Sequence, residues 1–174
     1  MNNLYHYSSE PIVDLVQREI VFGDTYDEKH KLGKYYLRPN MKPEGFWFSP
    51  EDDNEQTDES WYDFCVDVRS MCQRLRYKYY VLVDPTANLL ILDTVSKMYE
   101  FNRKYLVYEK EPVLRSLSVL WNKVALDYQG ILIAPYHYRL RLHADFRWYY
   151  DWDCASGCIW DISVIQSITL QQGG

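Results

Sequence analysis

The sequence predicts an α+β fold in which one domain spans residues 1–174, with mixed, mostly antiparallel sheets and flanking helices. The chain is 174 residues long and 47% hydrophobic, which is enough for a packed core and excludes a disordered protein. Strand-like and helix-like segments follow one another without regular βαβ alternation, which disfavours a doubly wound parallel sheet. No internal repeat or low-complexity tract divides the chain.

The N-terminal residues predict a strand over residues 4–8 and a helix that begins near Ser9. Ser9 precedes Pro11, and this order is typical of a helix cap and first turn. The predicted helix has a mostly apolar face, formed by Ile12, Leu15, Val16, Glu19 and Ile20. Residues 23–44 are polar and glycine-spaced, which indicates a long loop around a short strand at residues 35–37.

The next segment predicts a short strand over residues 45–49 that Pro50 stops, and then an acidic, solvated linker over residues 51–59. Ser60 is the expected cap of a helix. Apolar side chains recur there at steps of three and four residues, which indicates one buried face. The members of this face are Trp61, Phe64, Cys65, Val68, Cys72 and Leu75.

The C-terminal half predicts two strands, over residues 79–84 and 89–93, that form a hairpin around residues 85–88. Helices are expected over residues 94–105 and 112–128. A strand follows over residues 130–134, and residues 158–168 indicate one or two more strands.

Composition also limits the class of function. A net charge of −6 disfavours a broad surface for nucleic acid or anionic lipid. No apolar run is long enough to span a bilayer, and residues 1–6 lack the pattern of a signal peptide, so we expect a cytoplasmic protein with no membrane partner. In that compartment the four cysteines are expected to be free thiols.

Two charged groups of side chains have alternative interpretations. His137, His143 and Asp145 lack a standard metal-ligand spacing, so no metal is expected there. Arg139, Arg141 and Arg147 lie among aromatic residues and could hold a phosphate or stack on a base. The alternation around the first two arginines favours instead an amphipathic edge strand.

Three segments, in this order, resemble the core motifs of ADP-ribosyltransferases, especially their small toxin, effector or phage-encoded branches. The first is Leu4-Tyr5-His6-Tyr7-Ser8-Ser9, and the second is Gly45-Phe46-Trp47-Phe48-Ser49. The third combines Tyr128-Gln129-Gly130-Ile131 with the closing segment Ser156-Gly157-Cys158-Ile159-Trp160-Asp161.

The resemblance implies a site for NAD as a substrate. It implies that His6, Tyr7 and Ser8 on the first strand hold the dinucleotide, and that Trp47 and Phe48 line the nicotinamide pocket. Ser49 would orient a neighbouring side chain.

The resemblance also implies a glutamate at the start of the closing strand, where this chain has Ser156. That carboxylate stabilises the oxocarbenium-like transition state in the family. Asp153, or alternatively Asp151, would then supply the negative charge. The implied catalytic residues are His6, Ser49 and Asp153.

Two functions follow from these observations. The first is an ADP-ribosyltransferase-like protein that binds NAD or a related adenine nucleotide and transfers ADP-ribose to a protein or nucleic acid. The alternative is a non-catalytic phage or accessory protein that engages a host protein or captures a nucleotide, and Ser156 in place of glutamate motivates it.

Overall fold

A computed structural model describes residues 3–15, 42–51, 60–108 and 117–172. They form a mixed α+β domain, and the predicted fold class is confirmed at this level. The strands are β1 (Asn3–Ser8), β2 (Phe46–Glu51), β3 (Tyr77–Val83), β4 (Leu89–Ile91), β5 (Leu106–Tyr108), β6 (Leu117–Val119), β7 (Gly130–Ile133), β8 (Ser156–Ile159) and β9 (Ile165–Gln172). The α-helices are α1 (Trp61–Asp67), α2 (Val95–Tyr105), α3 (Trp121–Asp127) and α4 (Tyr138–Arg141). Three 3-10 helices cover Arg69–Leu75, Ala144–Tyr149 and Ile162–Val164.

Seven strands form one sheet in the order β4-β7-β8-β2-β1-β3-β9, and β5 pairs with β6 in a separate two-stranded sheet. The β4–β7 pair is parallel, and the other pairs are antiparallel. Among the described residues, no helix combines the length and apolarity that crossing a bilayer requires.

β2 joins two parts of the large sheet. Its first three residues pair with β8, from Phe46 opposite Ile159 to Phe48 opposite Gly157. Its last three pair with β1, from Ser49 opposite Tyr5 to Glu51 opposite Asn3. The strand therefore changes neighbours between residues 48 and 49.

α2, α3, α4 and the 3-10 helix Ala144–Tyr149 pack on the part of the sheet that contains β4, β7 and β8. The main core there is strongly aromatic, and its largest fully buried side chains are Trp148, Trp152, Tyr149 and Phe146. Phe101 of α2 contacts Trp121 and Trp148, with ring centroids 5.9 and 4.9 Å apart. The aromatic richness of the sequence is thus used in large part for packing.

Several helices and strands lie where the sequence predicted them. Ser60 accepts a hydrogen bond from the Asp63 amide, and the Asp63 side chain accepts one from the Ser60 amide, so α1 begins with a capping box. Thr94 caps α2 in the same region as predicted. The predicted strands at residues 4–8 and 130–134 are β1 and β7.

The helix predicted after Ser60 is divided in two. α1 ends at Asp67, Val68 has φ −94° and ψ 78°, and a 3-10 helix follows. A 3-10 helix has three residues per turn, so the apolar stripe expected from an α-helix rotates out of register. Cys65 is buried as predicted, whereas Cys72 is exposed.

The helix predicted to begin near Ser9 is absent from the described residues 9–15. The amide of Ile12 donates to the hydroxyl of Tyr79 at 2.9 Å, so a tertiary contact holds this segment against β3. The rest of that predicted helix, with Val16, Glu19 and Ile20, lies outside the described residues, as do the strand predicted at residues 35–37 and nearly all of the loop predicted at 23–44.

The hairpin predicted from residues 79–93 is wrong, although both strands exist. β3 pairs with β1 and β9, while β4 pairs with β7 at the other edge of the sheet. The Asp84 amide donates to the Val164 carbonyl, and the Asp84 carboxylate accepts from the Thr86 amide. These bonds redirect the chain away from β3 instead of folding it back onto the same strand.

Two further boundaries differ from the prediction. Pro50 does not stop β2, which continues to Glu51, because here β1 is the strand's paired neighbour and β8 is not. A proline is tolerated where a strand lacks one of its two neighbours. The helix predicted over residues 112–128 is shorter, because β6 pairs with β5 and α3 begins only at Trp121; residues 109–116 are not described.

The remaining differences concern charged segments. Arg139 and Arg141 lie in the short helix α4, not on the edge strand that their alternation predicted, because four residues with one buried leucine fit either period. Glu51 was assigned to a solvated linker, but its side chain is only 12% exposed and pairs with Lys78. The other residues of that predicted linker, 52–59, are not described.

Gly157 is a position at which added volume should be poorly tolerated. A Cβ there would lie 2.3 Å from Cζ of Phe48 and 2.6 Å from the Ile131 carbonyl oxygen. We expect Gly157→Ala to lower the free energy of unfolding by about 1–3 kcal/mol, because the central strands must move apart. Urea denaturation measures this change. As a control, Leu126→Ala at a side chain that is 86% exposed should change it by less than about 0.5 kcal/mol.

Candidate functional site

The candidate site lies where β1 and β2 separate. The β1–β2 pairing covers Asn3 to Tyr5 and Ser49 to Glu51. Beyond it, residues 6–8 of β1 pair with β3, and residues 46–48 of β2 pair with β8. A wedge therefore opens between the end of β1 and the beginning of β2.

A cavity of about 610 Å³ occupies this region. Its size is within the range of pockets that hold drug-sized ligands. Its lining comes from β1, β2, the segment before β2, the helices after Ser60, and the segment before β8. The lining residues are Tyr5, His6, Tyr7, Ser8, Ser9, Lys42, Pro43, Trp47, Phe48, Ser49, Trp61, Arg74, Asp153, Cys154 and Ser156.

His6 bridges the two strands at the point where their pairing ends. Its Nδ1 lies 2.7 Å from the carbonyl oxygen of Trp47, and its ring stacks on Phe46 with centroids 4.5 Å apart. Burial lowers the pKa of the imidazole, and the hydrogen bond to Trp47 opposes this effect only in part. Because a carbonyl can only accept, Nδ1 carries the proton, and Nε2 is the acceptor of the neutral ring.

Ser49 is 1% exposed and connects three segments. Its hydroxyl donates to the Ala155 carbonyl at 3.1 Å and accepts from the Trp61 amide at 2.9 Å. Both partners are main-chain groups, so the hydroxyl positions the start of α1 and the segment before β8, not a neighbouring side chain.

Asp153 is the carboxylate among the described lining residues, and it is already paired. Arg141 donates to its Oδ1 at 2.9 Å, and Lys42 Nζ lies 3.9 Å from its Oδ2. Arg141 is fixed further, because its Nε donates to the carbonyl of Tyr150. Asp151, the alternative carboxylate, is not among the lining residues that the structure describes.

The start of β8 supplies two small side chains. Ser156 is 9% exposed, and its hydroxyl donates to the Cys154 carbonyl at 3.2 Å. Burial raises the pKa of the Cys154 thiol to about 12, so this thiol is protonated at neutral pH and is a poor nucleophile. Neither side chain supplies a negative charge.

Aromatic rings form one wall of the cavity. Trp47 packs edge-to-face against the fully buried Trp152, with centroids 5.1 Å apart, which fixes its indole. Lys42 Nζ lies 5.4 Å from the Trp47 ring.

Tyr7, a second aromatic residue of the lining, is neutral. Its hydroxyl donates to Glu51 at 2.7 Å, and Glu51 also accepts from Lys78 at 2.8 Å. Burial, reinforced by Glu51, raises the pKa of Tyr7 well above its ordinary value, so the phenol stays neutral.

The structure thus places all the predicted NAD-binding residues, and Asp153, around one cavity. The sequence analysis missed Lys42, Arg74 and Trp61 as lining residues, and the Arg141–Asp153 ion pair. Lys42 was within a predicted loop and Arg74 within a predicted helix, and neither position carries a motif. Only the tertiary structure brings them to His6.

The histidine and cysteine residues that the sequence analysis considered form no comparable site among the described residues. His143 Nδ1 lies 3.7 Å from Asp145, and His137 is not part of that contact. Among residues 3–15, 42–51, 60–108 and 117–172, no group of three or more His, Cys, Asp or Glu side chains is arranged to hold a metal ion. All four cysteines are free thiols, as predicted.

The sequence matches no protein-family model, and no curated protein or solved structure is significantly similar to it. The functional argument for this chain therefore depends on the geometry of the cavity.

The buried imidazole of His6 should make stability depend on pH. Its pKa in the folded chain is below the ordinary 6.5, so its contribution is fully present above pH 6.5 and is lost as the pH falls through the lowered value. We expect the free energy of unfolding, measured in urea between pH 7.5 and 5, to fall less in His6→Asn than in the wild type. Asparagine keeps a donor for the Trp47 carbonyl but does not titrate.

The matched control is His143→Gln, because the His143 side chain is 47% exposed. This variant should keep the wild-type pH dependence. Equal curves for the wild type and His6→Asn would show that folding does not lower the pKa of His6.

Proposed function

We propose that the cavity between β1 and β2 binds NAD or a related adenine nucleotide, in an ADP-ribosyltransferase-like protein. The observation that carries the proposal is the convergence of three sequence-distant segments on one cavity. They contribute His6, Trp47 with Ser49, and Asp153.

The chemistry of the lining suits a nucleotide. The Trp47 indole, held by Trp152, offers a flat apolar face for a nicotinamide or adenine ring. The neutral His6 ring has its Nδ1 proton committed to Trp47, so its Nε2 can accept a hydrogen bond from a ribose hydroxyl. Lys42 and Arg74 supply positive charge for phosphates.

If the protein transfers ADP-ribose, the bond between nicotinamide and C1 of its ribose breaks, and neutral nicotinamide leaves with the bonding electrons. A nucleophile on a protein or nucleic acid then bonds to C1 and loses its proton. Asp153 would be the negative charge next to the oxocarbenium-like centre. The acceptor is a host protein or a nucleic acid in this proposal.

A second candidate is nucleotide capture without turnover, as expected of a phage or accessory protein that binds a ligand or a host protein. The ion pair between Asp153 and Arg141 favours it, because the guanidinium offsets the charge of the carboxylate. Ser156 also leaves the start of β8 without a carboxylate.

Titration calorimetry with NAD and ADP-ribose tests the binding proposal. We expect both ligands to bind, and Trp47→Leu to weaken binding roughly tenfold, because stacking on an aromatic face contributes on the order of 1–3 kcal/mol. Tyr138→Leu is the control, since Tyr138 is 67% exposed and is not among the described lining residues. An absence of binding by NAD and ADP-ribose would reject the nucleotide site.

Nicotinamide release from NAD, measured by chromatography, separates the two candidates. We expect little release by the wild type and at least tenfold more by Ser156→Glu, which places a carboxylate at the start of β8. Ser156→Gln is the matched uncharged control. Rapid release by the wild type that disappears in Asp153→Asn would instead establish cleavage of NAD and exclude the capture-only protein.

A further inference from the structure

The charges around the cavity are unbalanced. Lys42 and Arg74 belong to separate elements, the segment before β2 and the 3-10 helix Arg69–Leu75, and both line the cavity. The carboxylate in the described lining is Asp153, and Arg141 pairs with it. Among the described residues, Lys42 and Arg74 in the lining and Arg141 beside it therefore give three cations to one carboxylate, in a chain whose net charge is −6.

The neighbouring groups that the structure describes do not restore the balance. Burial keeps His6 largely neutral by lowering its pKa. The Glu51 carboxylate is held by Lys78 and by the Tyr7 hydroxyl. Asp63 accepts hydrogen bonds at the start of α1. Within the described residues, Arg74 makes no ion pair, and Lys42 makes only the long 3.9 Å contact with Asp153.

Enclosure increases the effect of these charges. A cleft that is lined mainly by one sign of charge concentrates its electric field on a ligand more than an open surface does. Lys42 also lies near the Trp47 ring, so an anion that it binds would be adjacent to a stacked base. A ligand that balances the cavity carries about two negative charges close to an aromatic ring.

We infer that Lys42 and Arg74 are the phosphate-binding residues of the cavity, and that they select ligands with a pyrophosphate group over nucleosides and monophosphates. This inference rests on the proposed nucleotide site, because it assigns the same cavity. A pyrophosphate diester carries one negative charge on each phosphate, which fits two cations on two separate elements. A phosphate monoester carries a similar charge on a single phosphate, so we expect it to engage cations on two separate elements less well than a pyrophosphate does.

Calorimetry with inorganic pyrophosphate, inorganic phosphate, adenosine and NAD tests the inference. Wild-type protein should bind pyrophosphate and NAD more tightly than phosphate or adenosine. Lys42→Gln and Arg74→Gln should each weaken pyrophosphate binding about tenfold, as the loss of one charge-assisted hydrogen bond predicts. Arg74→Lys should recover part of the loss, and added salt should weaken binding to the wild type more than to either glutamine variant.

Arg139→Gln is the matched control, because it removes one exposed cation that is not among the described lining residues. It should leave pyrophosphate affinity unchanged. Circular dichroism and thermal unfolding show whether each variant is folded, which is expected because the Lys42 side chain is 37% exposed and Arg74 is exposed.

The outcomes separate this inference from the proposed function. Pyrophosphate binding that depends on Lys42 and Arg74, without NAD binding, would support the phosphate site and reject the nucleotide proposal. NAD binding that is unchanged in both glutamine variants would retain the nucleotide site and overturn this inference. An absence of both pyrophosphate and NAD binding would overturn both.

Discussion

β2 lies between β8 and β1 and pairs with each of them at different residues. Its first half is bonded to β8 and its second half to β1, so β1 and β2 run apart after Tyr5 and Ser49. Buried amides and carbonyls are costly to leave without partners, and a sheet that separates creates such groups. The cavity and the side chains around it follow from the way this chain satisfies them.

Two side chains satisfy main-chain groups in this wedge. The His6 ring donates to the Trp47 carbonyl, and the Ser49 hydroxyl joins Ala155 to Trp61. Each pairs main-chain groups through bonds that also fix the position of a polar side chain. The same interactions therefore stabilise the separated strands and leave Nε2 of a neutral imidazole as an acceptor.

The sequence predicted the elements whose signals are local. Ser60 and Thr94 are caps, and a cap depends on residues within one turn, so α1 and α2 begin where expected. The partner of β4 could not be predicted in this way, because bonds from Asp84 to Val164 and from β4 to β7 join residues far apart in sequence. Cys72 was misplaced for a related reason, since the change from α to 3-10 geometry at Val68 has no sequence signature.

The candidate site likewise combines residues that the sequence identified with residues that only the tertiary structure brings together. Motif order singled out His6, Ser49 and Asp153, but the electrostatics depend on Arg74 and Arg141, which no motif contains. Arg141 matters most, because it decides what Asp153 can do. A free carboxylate in a partly dry cavity would stabilise positive charge that develops on a ribose, whereas one held at 2.9 Å by a guanidinium has much of its field offset. By offsetting the charge of Asp153, Arg141 also reduces the repulsion that an anionic ligand would meet in the cavity. This pairing supports our proposal of a site that holds a phosphate-bearing ligand without breaking its glycosidic bond.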